Sequence, residues 1–312
     1  MDFSPDQHLR DDPEGAASQI ASHILLTRQV EPDKTWLVVE GAADDKLFDR
    51  FIDLHGARLA CAFGRKAVLE VSERLARFSR RDGFVGVVDL DFDGVDGVSR
   101  ASSPVFATDT HDLETMCLAS DHALDAVLAE FCDRKLRREF EAASGRSVRQ
   151  ATLAAARELG FVRLASLKRR LGLRVAAWSH QTHYPAFLEG LTVNRENVLA
   201  FLGTTPTVSQ DGTERTCSSD EIEVLRATLS ELEAAHAGRD TLLVACGHDA
   251  CKILAASIGP ERTLGGSREI SPWLIEQGLR LAYPEYVFVS TRLFTELQAW
   301  QLSNREWKLL RE

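Results

Sequence analysis

The sequence predicts an α/β protein in which helices flank a parallel sheet and a mostly α-helical second subdomain follows. Over the first 120 residues, short apolar runs rich in β-branched residues alternate with segments of helical periodicity. Helices between consecutive strands require crossover connections, and these produce parallel strands. After residue 120 the helical periodicity continues almost without a strand signal. A chain of 312 residues with 44% hydrophobic content is large enough to bury such a core.

Each element of the first part has its own signal. Ile20, Ile24 and Leu25 predict a helix over about 16–28, and "TWLVVEG" predicts a buried strand that ends in a glycine turn. The same criteria predict a helix around 47–52, a strand over 58–62, a helix over 67–78, a strand over 84–90, a strand at "SPVFATD" and a helix at "HDLETMCLA".

These elements divide the chain into three predicted parts. Residues 1–120 form the α/β domain, and residues 121–238 form the helical subdomain. In residues 239–312, "DTLLVACGHDACKILAASIG" predicts a strand, a glycine turn and a helix that return the chain to the sheet.

Charge is distributed unevenly. The chain carries −10 overall, yet the segment 134–174 has twelve Lys or Arg against three Glu, a balance of +9. Two interpretations remain open, a solvated basic helix face or a surface that binds a polyanion such as nucleic acid.

Composition also bears on the compartment. The amino terminus lacks the order of a signal peptide and no long apolar run is present, which predicts a cytoplasmic protein without membrane association. The six cysteines include no C-x-x-C pair, so we expect reduced thiols rather than a zinc ribbon or a disulfide scaffold.

The stretch "VGVVDLDFDGVDG" concentrates acidic residues behind an apolar run. Asp89, Asp91, Asp93 and Gly94 match the first half of an EF-hand calcium loop, but Arg100 stands where its final Glu belongs. The preceding residues also have strand composition rather than helix composition. The calcium-loop interpretation therefore fails, and a strand that ends in acids replaces it.

Acidic residues follow three predicted strands. Glu40 closes the first strand, Asp89 and Asp91 close the third, and Asp109, Asp112 and Glu114 follow the fourth. Ligands of parallel sheets gather beyond the carboxyl ends of the strands, and clustered carboxylates repel one another without a cation. All-oxygen ligands favour Mg²⁺ or Mn²⁺, which can support an in-line phosphoryl displacement.

Basic groups near glycine turns are candidates for acid-base chemistry or for phosphate contacts. Lys66 and His248 are candidate catalytic residues beside Glu40. The candidate substrate-binding residues are Arg65, Lys66, His111, Lys168, Arg169, Arg170 and Lys252.

The motifs "VVEGAADD", "FGRKAVLEV", "VVDLDFDG" and "TDTHDLE", in this order, resemble the Toprim domain of topoisomerases, primases and OLD-type nucleases. More closely, they are similar to a Toprim-like family that includes the nuclease subunit of PARIS-type anti-phage defence systems. The resemblance covers about residues 34–120, with weaker agreement at Gly247-His248-Asp249. One position departs from it, since Leu90 stands where such sequences often carry Arg.

The resemblance implies a Rossmann-like Toprim fold and roles for individual residues. Glu40 matches a general acid or base that also lies at the metal, and Asp44, Asp89 and Asp91 match metal ligands. Asp93 and Glu114 match further acids, which we include among the candidate ligands.

These expectations lead to a Mg²⁺-dependent nuclease that acts on DNA or RNA, for example tRNA, in anti-phage defence. The chain has no phosphate-binding loop of its own, so a partner ATPase on another chain is expected, and a homo-oligomer remains open. Two alternatives use the same acids. One is a non-catalytic subunit that binds metal or docks on the ATPase, and the other is a Toprim nucleotidyl transferase.

Overall fold

The computed structural model describes residues 12–97, 101–209 and 212–311 of the chain. In chain order, the α-helices are α1 (Pro13–Thr27), α2 (Ala42–Phe48), α3 (Arg65–Arg77), α4 (Asp93–Asp96), α5 (Leu113–Ala119), α6 (Asp121–Phe131), α7 (Arg134–Ser144), α8 (Val148–Arg169), α9 (Arg195–Thr204), α10 (Ser219–Ala235), α11 (Gly247–Ser257), α12 (Pro272–Ala282), α13 (Glu285–Phe288) and α14 (Arg292–Ser303). The strands are β1 (Thr35–Val39), β2 (Ala57–Cys61), β3 (Phe84–Val88), β4 (Val105–Ala107), β5 (Leu188–Glu189), β6 (Thr192–Val193), β7 (Thr207–Val208) and β8 (Glu214–Arg215). Three 3-10 turns cover Val175–Ala177, Tyr184–Ala186 and Thr241–Leu243.

The main sheet confirms the α/β prediction. Its four strands are all parallel and lie in the order β2-β1-β3-β4. Strands β1 and β3 are central and buried along their whole length, which explains why both sequences are apolar throughout.

Close packing on the sheet depends on a glycine in β3. A Cβ at Gly86 would lie 2.9 Å from Cγ1 of Val68 on α3 and 3.0 Å from Cγ2 of Val105 on β4. A larger residue would push α3 away from the sheet, so the glycine fixes the distance between the two layers.

The described residues form two compact units. The first unit contains residues 12–93, 101–109 and 285–311, and the second contains residues 94–97, 110–209 and 212–284. Residues 110–120, which the sequence places with the sheet, therefore belong to the second unit. Within 239–311, only residues from 285 onward belong to the unit that contains the sheet.

The C-terminal residues of the first unit complete its core. The Phe288 ring stacks on Phe51 at 4.3 Å between centroids, and Leu309 accepts a hydrogen bond from the Asp53 N–H at 2.8 Å. Helix α1 packs against α3 on the same unit. Both ends of the described chain therefore support one sheet.

The second unit is mostly helical, with two short antiparallel hairpins, β5-β6 and β7-β8. Helix α8 forms its centre, and thirteen of its residues are buried. Trp178 and Tyr184 are 2% and 0% exposed, so they are core residues of this unit.

The predicted strand in "DTLLVACG" is wrong. Thr241–Leu243 forms a 3-10 turn, and the Thr241 carbonyl accepts hydrogen bonds from the N–H groups of Val244 and Ala245. Local bonds therefore satisfy the backbone groups that a strand would pair with a neighbour. A short buried apolar run shows the same hydrophobic pattern in a strand and in a helical turn, so the pattern alone could not separate the two.

No helix in the described ranges is long and apolar enough to cross a membrane.

Candidate functional site

Glu40 and Asp89 lie where two neighbouring strands of the first unit end. Glu40 directly follows β1 and Asp89 directly follows β3, and these strands are parallel partners in the sheet. The Asp89 N–H donates a hydrogen bond to Oε1 of Glu40 at 2.8 Å. The strand ends predicted to lie together are therefore joined through a carboxylate.

The end of β4 joins the same edge through Thr108. The Leu90 N–H donates to Oγ1 of Thr108 at 2.9 Å, and the Thr108 N–H donates to the Val88 carbonyl at 3.0 Å. Thr108 is a residue of this edge that the acidic pattern of the sequence does not indicate. The available signal was a hydroxyl residue directly after the apolar run "VFA".

Arg65 binds the acidic residues that follow β3. It is the first residue of α3, after Gly64, whose φ of 140° lies in a region open to glycine. Its guanidinium forms an ion pair with Asp93 through Nη2. Nη1 lies 3.4 Å from Oδ2 of Asp91 and donates to the Asp89 carbonyl at 3.4 Å. The structure thus places this predicted substrate-binding residue against the predicted metal ligands.

The third strand is two residues shorter than the predicted 84–90. The strand ends at Val88, and Asp91 adopts a φ of 50°, in the left-handed region that aspartate tolerates better than most residues. Strand alternation therefore does not orient the Asp89 and Asp91 side chains. A turn and the contact to Arg65 position Asp91 instead.

We call Glu40, Asp44, Arg65, Asp89, Asp91 and Asp93 the strand-exit cluster. Burial is the largest cause that raises the pKa of Glu40, to about 8, and the nearby Asp91 and Asp44 carboxylates raise it further. The N–H of Asp89 and the charge of Arg65 act in the opposite direction. Asp44 itself accepts a hydrogen bond from the Gly41 N–H at 2.7 Å, at the start of α2.

The strand-exit cluster fits a hard divalent cation. Its candidate ligand atoms are carboxylate oxygens, which Mg²⁺ and Mn²⁺ prefer. The raised pKa of Glu40 shows that additional positive charge would stabilise the ionised carboxyl group. Glu40, Asp44, Asp89 and Asp91 could hold such an ion.

A second group of ligand-type side chains lies in the second unit. Glu114 on α5, His248 on α11 and Glu276 on α12 each offer an atom within 4.8 Å of the others, and we call them the helix cluster. Nδ1 of His248 lies 2.8 Å from Oε1 of Glu276, and Nε2 lies 3.9 Å from Oε2 of Glu114. The sequence predicts Glu114 as a metal ligand and His248 as a catalytic residue, but no pattern in it indicates Glu276.

Charge in the helix cluster is balanced by protein groups. Glu114, and next Glu276, raise the pKa of the exposed His248 imidazole to about 10, so the ring is cationic at neutral pH. Arg280 Nη1 also lies 3.6 Å from Oε1 of the buried Glu114. An imidazole with two carboxylates is a ligand set for Zn²⁺ or Mn²⁺, but a proton and a guanidinium already supply positive charge here.

The other acids after β4 cap helices. In the first unit, Asp109 accepts hydrogen bonds from the N–H groups of Arg292 and Leu293 at 2.7 and 2.8 Å, at the start of α14. In the second unit, Asp112 accepts from the Thr115 N–H at 2.8 Å, at the start of α5. Carboxylates at helix N-termini satisfy otherwise unpaired N–H groups, so these two acids have a structural role.

His111 is buried, at 4% exposure, beside Asp112 and Cys246. The side chain is therefore not on the surface in the described conformation, and its contact with substrate stays a prediction. The Asp112 carboxylate also accepts from the Gly247 N–H at 2.8 Å. Burial raises the pKa of the Cys246 thiol well above its usual range, so it remains protonated.

Ion pairs within the second unit reduce the charge of the basic segment 134–174. Arg137 contacts Asp125 at 2.7 Å, and Arg169 contacts Glu231 at 3.2 Å. The basic side chains of this segment that remain exposed are those of Arg134, Lys135, Arg138, Arg146, Lys168, Arg169, Arg170 and Arg174. The second unit therefore has an exposed basic surface, but its net positive charge is smaller than the +9 counted over residues 134–174.

Two further predicted residues have protein partners. Lys66 is exposed and lies 3.5 Å from Oε1 of Glu14, so a substrate could reach it. Lys252 donates from Nζ to the Ala176 carbonyl at 2.7 Å, and burial lowers its pKa. Lys252 therefore acts within the second unit in the described conformation.

Comparison with models of known protein families gave no match, and comparison with curated proteins gave none either. The Toprim resemblance rests on the quoted motifs alone.

Proposed function

We propose that the protein is a Mg²⁺- or Mn²⁺-dependent nuclease that hydrolyses phosphodiester bonds in DNA or RNA. The observation that carries this proposal is the junction of Glu40 and Asp89 at the ends of two parallel strands. It places a proton-binding carboxyl group beside the acidic turn that contains Asp91. Ligand sites of parallel sheets occupy this edge.

Glu40 is the proposed general acid or base. Burial raises its pKa to about 8, so the carboxyl group can hold or release a proton near neutral pH. The N–H of Asp89 holds one of the Glu40 oxygens in place at 2.8 Å. A divalent cation, when bound by Glu40, Asp44, Asp89 and Asp91, would stabilise the negative charge that develops on the phosphoryl group.

Substrate binding is assigned to basic side chains in each unit. In the first unit, Arg65 and the exposed Lys66 begin α3, next to the strand-exit cluster. In the second unit, exposed arginines and lysines of 134–174 offer charge to a phosphate backbone. A contribution from Lys168 and Arg170 would appear as a dependence of binding on salt concentration.

The motif resemblance also bears on the biological role of the proposed nuclease. It supports a nuclease that acts in anti-phage defence, in the cytoplasm, under the control of a partner ATPase. The absence of a G-x-x-x-x-G-K-[ST] sequence in the chain is compatible with such a partner.

Incubation of the purified protein with end-labelled DNA and with total RNA tests the proposal. The reactions contain Mg²⁺, Mn²⁺ or EDTA, and they compare wild type with Glu40→Gln and Asp89→Ala. Glu73→Gln on α3 is the matched control, because Glu73 is exposed and paired with Arg77. We expect cleavage that needs the metal and that both site variants lose. Cleavage in EDTA, or cleavage by Glu40→Gln at the wild-type rate, would contradict the proposal.

The same gels discriminate between the alternatives. A nucleotidyl transferase would extend a primer when nucleoside triphosphates are added, whereas a nuclease shortens it. A docking subunit would neither cleave nor extend, and Glu40→Gln would leave its complex with an ATPase intact.

A further inference from the structure

The Arg65 guanidinium occupies the acidic turn after β3. Its Nη2 forms an ion pair with Asp93, its Nη1 lies 3.4 Å from Oδ2 of Asp91, and the same nitrogen donates to the Asp89 carbonyl. The Arg65 and Asp93 side chains are 19% and 13% exposed, so solvent screens this ion pair only partly. These contacts make Arg65 a resident positive charge of the strand-exit cluster.

A guanidinium and a divalent cation make opposing demands on the same carboxylates. The planar guanidinium of arginine donates N–H groups to the lone pairs of the carboxylate oxygens. A metal ion must bind the same lone pairs. The two positive charges also repel each other at short distance. A cation that uses Asp91 or Asp93 must therefore replace part of the Arg65 contacts.

We propose that Arg65 competes with the divalent cation for Asp91 and Asp93, and that the displaced guanidinium binds a phosphate of the nucleic acid. The inference rests on the proposed function, because it assumes that the metal and the substrate share the strand-exit cluster. Arg65 is then a positioning and substrate-binding residue that couples the two ligands. Each ligand should raise the affinity for the other, since coupling between two binding events is reciprocal.

The local backbone allows such an exchange. Gly64, at φ 140°, has no atom within 4 Å of a hypothetical Cβ, so space surrounds the turn that carries Arg65. The Asp91 side chain is 51% exposed, so a cation can reach it from solvent. Exchange can therefore begin at Asp91, the more exposed of the two Arg65 partners, without unfolding of the sheet.

Calorimetric titration with Mn²⁺ tests the competition. Arg65→Gln should bind Mn²⁺ about tenfold more tightly than wild type, because the competing charge is gone. Arg65→Lys keeps the positive charge but lacks the paired N–H donors of the guanidinium. Its affinity for Mn²⁺ should therefore lie between those of wild type and Arg65→Gln. Arg77→Gln is the matched control. Arg77 is an exposed arginine of the same helix, and it pairs with Glu73 rather than with the strand-exit cluster. Circular dichroism and thermal melts establish that each variant is folded.

Binding of a fluorescent oligonucleotide tests the coupling. Anisotropy is measured with and without Ca²⁺, which binds oxygen ligands, and a gel establishes that the oligonucleotide stays intact. Ca²⁺ should raise the affinity of wild type and of Arg77→Gln several-fold. The same addition should have less than half this effect on Arg65→Gln.

The outcomes separate this inference from the proposed function. Tighter Mn²⁺ binding by Arg65→Gln together with a smaller effect of Ca²⁺ supports it. Unchanged or weaker Mn²⁺ binding overturns it, and the nuclease proposal survives if wild type still cleaves. Tighter Mn²⁺ binding with wild-type coupling overturns the assignment of Arg65 to the phosphate. Failure of wild type to bind any oligonucleotide contradicts the nuclease and this assignment together.

Discussion

Oε1 of Glu40 accepts a hydrogen bond of 2.8 Å from the Asp89 N–H, and this bond connects residues 49 positions apart in the chain. It ties the end of β1 to the end of β3. The protonation state of this partly buried carboxyl group therefore affects stability as well as the proposed chemistry.

Glu40→Gln should stabilise the protein at high pH while it abolishes cleavage. The pKa of Glu40 is about 8 in the folded protein, above its ordinary value of 4.5. Folding therefore favours the protonated form, and the stability that this proton provides is lost as pH rises through about 8. The amide oxygen can still accept from Asp89 but carries no charge to bury. The full shift corresponds to about 5 kcal/mol, and we expect a gain of roughly 1–3 kcal/mol at pH 9 over wild type because the uncharged amide must also be buried.

Thermal melts in EDTA between pH 5 and 9 measure this effect. The difference between Glu40→Gln and wild type should be small at pH 5 and largest at pH 9. Glu73→Gln provides the control for a surface charge. A difference that does not change with pH would show that the pKa of Glu40 is not raised.

Thr108→Val should destabilise the first unit and loosen the turn after β3. The Leu90 N–H donates to the Thr108 hydroxyl at 2.9 Å, and valine has no acceptor to replace it. A buried N–H without a partner costs about 1–3 kcal/mol. Thr108→Ser retains the oxygen, so it should keep most of the stability. Denaturant titrations compare the three proteins. A loss in Thr108→Ser, which retains the hydroxyl, as large as that in Thr108→Val would show that the hydrogen bond to Leu90 is not the source of the effect.

The fold was predictable where hydrophobic periodicity was strong. The strands β1 and β3 are apolar along their whole length, and acids follow both, so Glu40 and Asp89 could be placed at one edge from sequence alone. Parallel pairing of neighbouring strands then brought the two residues together, as the hydrogen bond between them confirms.

The details of the site depend on contacts that no local pattern encodes. The contact between Arg65 and Asp93 joins residues 28 apart, and the approach of Glu276 to His248 joins residues on separate helices. Asp109 and Asp112 look like further ligands in the sequence, but each caps a helix. A carboxylate in a cap and one in a metal site have the same local signature, so only the tertiary structure separates them.

Asp249→Asn should strongly destabilise the second unit. The Asp249 carboxylate is fully buried and accepts from Nε and Nη2 of Arg163 at 2.7 and 2.9 Å, and from the Tyr184 hydroxyl at 2.9 Å. The neutral amide would leave the guanidinium of Arg163 without its charge partner, which costs about 3–5 kcal/mol for a buried pair.

Tyr184→Phe is the matched variant for this network, because it removes one hydrogen bond and leaves the ion pair intact. It should cost about 1 kcal/mol. Urea unfolding followed by circular dichroism measures both variants. Equal effects of the two substitutions would show that the ion pair between Arg163 and Asp249 adds little.

Glu276→Gln should lower the pKa of His248. Glu114 and Glu276 together hold this pKa at about 10, so the cationic imidazole stabilises the fold fully below pH 6.5 and loses this contribution as pH rises through 10. Removal of the charge at Glu276, whose Oε1 lies 2.8 Å from Nδ1 of His248, shifts this loss to lower pH. Titration of the His248 ring by NMR measures the pKa directly. Glu231→Gln, which changes an acid paired with Arg169 in the same unit, should leave the titration as in wild type. If Glu276→Gln also left it unchanged, the assigned effect of Glu276 on His248 would be wrong.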